Sequence, residues 1–99
     1  MNSLASPLDE IRKEIDRIDD TILQLLERRA SLALQAKREK DRLGLPIQDP
    51  GREARVIERA VENCRGPLGT EDVRRIFAAI VAACVNVQTA AGDLGTEVR

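Results

Sequence analysis

Apolar residues recur along the first part of the chain in alternating steps of three and four: Leu8, Ile11, Ile15, Ile18, Ile22 and Leu25. That spacing lays them along one stripe of an α-helix. The helix opens at "SPLDE", where Ser6 can cap, Pro7 suits the first helical position, and Asp9 and Glu10 complement the positive end of the helix dipole. Nothing breaks the pattern until "RLGLP", where Gly44 and Pro46 end it. A second helix is predicted from "QDPGRE", with Asp49 as N-cap and Pro50 in the first turn. Its apolar face is Val56, Ile57, Ala60, Val61 and Cys64, and "RGPLG" (Arg65 to Gly69) terminates it. A third starts at Thr70, again followed by acids, Glu71 and Asp72. Its stripe is Val73, Ile76, Phe77, Ile80, Val81, Cys84 and Val87, and it ends near Gly92.

No strand-like alternation or internal repeat is present, so the predicted fold class is all-α: one long N-terminal helix and two shorter ones. The 99 residues make a single domain, structured over about residues 7–91, with 92–99 a frayed tail because "DLGTEVR" has no periodicity. The first helix, roughly 35 residues, would be about 52 Å long at 1.5 Å per residue. A compact chain of this size has a diameter of only about 33 Å. The helix outruns the globule, and a second chain should cover the isoleucine seam.

The seam has one fault. After Leu25 its next members should be residues 29 and 32; position 32 is leucine, but position 29 is arginine. Almost three turns later Lys40 lies on the same face, with Ala33 and Ala36 between them. Two cations bracketing two small side chains suit a helix that lines a small cavity. They equally suit a snorkelling Arg29, a solvated Lys40 and alanines chosen for close packing. The other helices add to the pattern. Glu53 continues the stripe 53, 57, 60, 64 and faces inward, beside an Arg52 that sits poorly in a first turn. Alternatively, Arg52 forms a weak surface ion pair with Glu53 or Asp49. Gln88 lies one turn past Cys84 on the third helix's apolar face, where a buried amide needs partners; alone it equally suits an ordinary helix-end glutamine. Together these residues could line a pocket for a small polyanion bearing a hydroxyl. Arginine forks fit carboxylates, acids accept from the hydroxyl, and lysine and glutamine donate to an oxygen.

Composition removes other chemistries. There is no histidine, which excludes histidine bases, Ser-His and Cys-His pairs and the usual zinc sets. A formal net charge of −1 gives no pull toward nucleic acid. Phe77 is the sole aromatic residue, so the core must be aliphatic. Cys64 and Cys84 have no C-x-x-C spacing and read as buried apolar residues in a reducing compartment. The start, "MNSLASPLDE", lacks the features of a signal peptide, and the longest apolar run, Phe77 to Val85, is too short to cross a membrane. A cytoplasmic protein is expected, with no metal or cofactor.

From about Leu8 to Gln88 the chain resembles the all-helical chorismate mutases. The elements that carry the resemblance are "IRKEIDRID", "LLERRASLA", Lys40 in "KREKD", "PIQDPGRE" and Gln88. The resemblance implies an intertwined homodimer and the rearrangement of chorismate to prephenate. It implies that Arg29 and the partner's Arg12 grip the two substrate carboxylates, with Arg52 in support. Lys40 and Gln88 would donate to the ether oxygen, Glu53 would accept from the ring hydroxyl, and Asp49 would shape its loop. Cys84 departs from the pattern: some members have a serine there that helps hold a carboxylate, and a thiol is a weaker donor. Three rivals stay open: an isochorismate-pyruvate lyase on the same scaffold, a helical dimerisation module without chemistry, and a module of, or partner to, a larger enzyme of aromatic biosynthesis.

Overall fold

The computed structural model describes residues 6–92, and the expected frayed tail beyond Gly92 lies outside them. Three helices account for nearly all of that stretch: α1 (Pro7–Leu43), α2 (Pro50–Asn63) and α3 (Thr70–Ala91). Their limits follow from side chains at the ends. Ser6 Oγ accepts from the Asp9 N–H at 3.1 Å while the Asp9 carboxylate accepts from the Ser6 N–H at 3.2 Å, so two orphan donors are satisfied reciprocally. At the other end Gly44 turns left-handed, with φ of 73°. Its N–H reaches the Asp41 carbonyl at 3.3 Å, and the Leu45 N–H reaches the Lys40 carbonyl at 2.8 Å. This Schellman closure satisfies carbonyls that α1 would otherwise leave open. At the start of α2, Asp49 Oδ1 accepts from the Arg52 N–H at 3.1 Å, with Pro50 following the cap.

α3 is the central helix and packs against both α1 and α2. An ion pair joins Glu58 on α2 to Arg74 near the start of α3. A groove of about 290 Å³ brings Glu53, one turn earlier on α2, beside Val85, three turns later on α3. The two helices therefore run in opposite directions. Val73, Val81 and Cys84, the buried apolar residues among those described, all belong to α3. By length and composition α3 could cross a membrane, although its longest uninterrupted apolar run is short. Its ion pair to α2 and the contact of its Gln88 with α1 bind it into the helical assembly.

The first half of α1 has no such neighbour among the described residues. Leu8, Ile11, Ile15, Ile18, Ile22 and Leu25 are 47–55% exposed. The Cα radius of gyration is 18.5 Å and the longest dimension 63 Å; a compact chain of this length would have a radius near 12.6 Å. The seam predicted from the spacing is present, and the described residues leave it uncovered.

Candidate functional site

A cavity of about 380 Å³ opens where the second half of α1, the start of α2 and the second half of α3 meet. From α1 come Arg29, Ala33, Ala36 and Lys40, the face that carries the fault in the seam. The alanines leave the space that two longer side chains would fill. From the start of α2 come Asp49, Arg52 and Glu53, and from α3 come Cys84 and Gln88. Seven of the eight residues singled out from sequence thus line one cavity. The eighth, Arg12, does not. It is exposed on α1, 17 residues and about 25 Å before Arg29.

Two donors are aimed by backbone carbonyls. Lys40 Nζ donates to the Ile47 carbonyl at 2.5 Å, which ties the end of α1 to the loop before α2 and leaves two N–H groups for a ligand. Gln88, only 6% exposed, donates from Nε2 to the Ala33 carbonyl at 2.8 Å. Only the NH₂ side of the amide can face a carbonyl, so this contact fixes the amide orientation. One hydrogen of Nε2 holds α3 against α1, and the second is free for a ligand.

The acids are anchored differently. Asp49 caps α2 and turns one oxygen onto its backbone. Glu53 Oε2 accepts from the Asp49 N–H at 3.3 Å, leaving Oε1 without a protein donor among the described residues. No ion pair engages the side chains of Arg29 or Arg52 among the described residues, so the surface pairing of Arg52 with Asp49 or Glu53 is not formed. Nearby, Glu39 takes the Arg42 guanidinium in three contacts of 2.7 to 3.3 Å and holds its pKa above the ordinary value. The cavity therefore presents cations without counterions, two oriented donors, one free carboxylate oxygen on each of Asp49 and Glu53, and a thiol. An anion carrying a hydroxyl satisfies all of them.

Other contributions were not read from sequence. Leu32, Val56, Val81 and Val85 supply apolar wall; the spacing of the first three marks them as part of apolar stripes and gives no sign that a cavity borders them, and Val85 falls outside the stripe read for its helix. The Ile47 carbonyl is a backbone group and carries no side-chain signature. Lys37 is 2% exposed, although a lysine near a helix end reads as solvated.

Comparison with known proteins converges on one family. A family profile described as chorismate mutase type II matches residues 11–89. A chorismate mutase of Methanocaldococcus jannaschii is 47% identical over 58 residues, 59% of this chain and 59% of that protein. A bifunctional chorismate mutase/prephenate dehydratase of Aquifex aeolicus is 39% identical over 85 residues, 82% of this chain but 24% of the relative, so the chain spans about a quarter of that protein. Among solved structures, a chorismate mutase of Thermus thermophilus superposes with a TM-score of 0.82 at 32% identity, covering 85% of this chain and 96% of that one.

Proposed function

Since the chain belongs to the type II chorismate mutase family, we propose that it rearranges chorismate to prephenate in the cavity between its three helices, in the cytoplasm. The observation that carries this reading is the pair of donors, Lys40 Nζ and Gln88 Nε2, each aimed by a backbone carbonyl and each with an N–H to spare. The reaction is a unimolecular Claisen rearrangement: the C–O bond of the enolpyruvyl ether breaks as a C–C bond forms across the ring. It requires no nucleophile and no proton transfer. What it requires is a folded-back substrate conformer and stabilisation of negative charge gathering on the ether oxygen. Lys40 and Gln88 supply the second, as donors that need no reorganisation when the charge develops. Arg29, Arg52 and the partner's Arg12 hold the carboxylates and so restrict the flexible arm. Glu53 Oε1 accepts from the ring hydroxyl, Asp49 keeps the first turn of α2 in place, and Cys84 adds a weak donor beside the carboxylate.

The dimer in this proposal has independent support in the charge along α1. Residues 7–25 carry six acids and three bases, whereas residues 26–43 carry three acids and six bases. Two α1 helices running antiparallel would set the acidic half of each on the basic half of the other, with the exposed seam between them. Arg12 would then approach a cavity built by the other chain.

The direct test follows loss of chorismate absorbance on adding purified protein, with prephenate identified as product. Isochorismate is assayed in parallel for salicylate and pyruvate. Turnover of isochorismate alone would transfer the site to the lyase reading.

Gln88→Glu sharpens the test. Glutamine donates at any pH, whereas glutamate donates only when protonated. Turnover of the variant should climb as pH falls while the parent stays nearly flat. A protonated carboxyl has a single hydrogen, and both the Ala33 carbonyl and the ether oxygen need one. The variant should therefore level off below the parent even at low pH. Parallel flat profiles would remove Gln88 from the ether-oxygen role.

A further inference from the structure

The most buried of the described residues is a lysine. Lys37 is 2% exposed, on the face of α1 that turns Ala33 toward α3, and its Nζ donates to Asp41 Oδ2 at 2.6 Å. A methionine or leucine would fill that space without desolvating an ammonium, and exchanging a buried ion pair for apolar side chains is often neutral or stabilising. Packing alone does not account for a lysine here.

Its partner is also misplaced. Asp41 sits in the last turn of α1, where the negative end of the helix dipole disfavours a carboxylate, and the other charges of that turn are the cations Lys40 and Arg42. That turn carries the site. The carbonyls of Lys40 and Asp41 are the two acceptors of the Schellman closure, and the Lys40 ammonium rests on Ile47, three residues beyond Gly44. If the last turn frays, Lys40 loses its position. Three other cations lie near Asp41. Arg42 is committed to Glu39, Lys40 is held by Ile47, and Arg38, exposed three residues earlier, offers only a pairing weakened by solvent. Lys37 alone compensates Asp41 from the buried side.

We propose that Lys37 is a positioning residue: its buried ammonium neutralises Asp41 and so holds the last turn of α1, its cap and the Lys40 ammonium in register with the cavity. The catalytic half of this statement rests on the proposed mutase reading. The structural half does not.

The experiment compares the parent with Lys37→Met, which keeps the stem and removes the charge, and with Lys37→Met/Asp41→Asn, which removes both charges. Amide hydrogen exchange at Gly44 and Leu45 reads the cap directly, and chorismate turnover reads Lys40. Lys37→Met should speed exchange at these two amides about three- to ten-fold, the range of a charge–dipole effect at a helix end. It should lower kcat by a similar factor, with KM little changed. The double variant should return exchange and kcat to within about two-fold of the parent, because no uncompensated carboxylate remains. A merely space-filling lysine predicts no recovery on removing Asp41's charge. Unchanged exchange at Gly44 and Leu45 in Lys37→Met, or a loss that the double variant shares, overturns the proposal. If Lys37→Met does not fold, the double variant decides: folded with parental exchange it supports the proposal, and unfolded it overturns it. Should the parent itself lack mutase turnover, the functional reading fails, and exchange alone judges Lys37.

Discussion

Arg29→Ala and Lys40→Ala should each lower chorismate turnover by about 10²–10³-fold, the usual consequence of removing one preorganised group that meets developing or fixed charge, while the fold survives. The reason lies in how little either cation does for its own chain. Arg29 is half-buried at the cavity and forms no ion pair among the described residues. Its removal should leave stability unchanged or raise it, as expected where a site charge is held for a ligand. Among the described residues the Lys40 side chain makes one hydrogen bond, to the Ile47 carbonyl, whose loss should cost about 0.5–1.5 kcal/mol. Circular dichroism melts and turnover on the same samples check both. An unfolded Arg29→Ala, or turnover near the parent's, would make Arg29 a packing residue after all.

Arg12→Ala and Lys40→Ala, each inactive alone, should regain roughly a quarter of parental activity when refolded together. The number follows from symmetry. In the proposed dimer, homodimers of the first variant would lack the visiting arginine in both sites, and homodimers of the second would lack the lysine in both. A mixed dimer has one site that draws Lys40 from the first variant and Arg12 from the second; its other site lacks both. Random pairing makes about half of the dimers mixed, each with one of two sites intact. The geometry behind this is the distance of about 25 Å between Arg12 and Arg29 along one helix, with Arg12 absent from the cavity lining. An intertwined pair would exchange slowly, so joint refolding or co-expression is preferable to mixing. No recovery, in samples where mass spectrometry of tagged chains demonstrates mixed dimers, would show that Arg12 does not complete a partner's site.

The helix limits were legible because local chemistry sets them. Ser6 and Asp49 start helices through bonds to N–H groups three positions on, Pro7 and Pro50 through their fixed φ, and the turn at Gly44 ends one through bonds spanning at most five positions. The site was legible for a different reason. Arg29 and Lys40 break an apolar stripe, and a break in a periodic pattern can be seen without knowing what lies opposite. What lies opposite is not encoded in the period. Nothing in the spacing says that Gln88 meets the Ala33 carbonyl, 55 residues earlier, because a stripe gives a face and not a neighbour. Lys37 was missed for the converse reason. It falls on the face buried against α3, but a lysine there reads as solvent-facing until the packing of that turn is known.

In the proposed dimer, the unsupported first half of α1 would make concentration part of this protein's chemistry. Most helical stability in a protein comes from packing an amphipathic face, and residues 7–25 have no such packing among the described residues. In the proposed dimer the segment gains its burial from another molecule, so winding it and meeting the second chain become one bimolecular event. Dilution then does more than separate two working halves. It removes the surroundings that keep the segment helical and, in the same step, withdraws an arginine from each site. Shape, association and catalytic competence would rise and fall together by mass action.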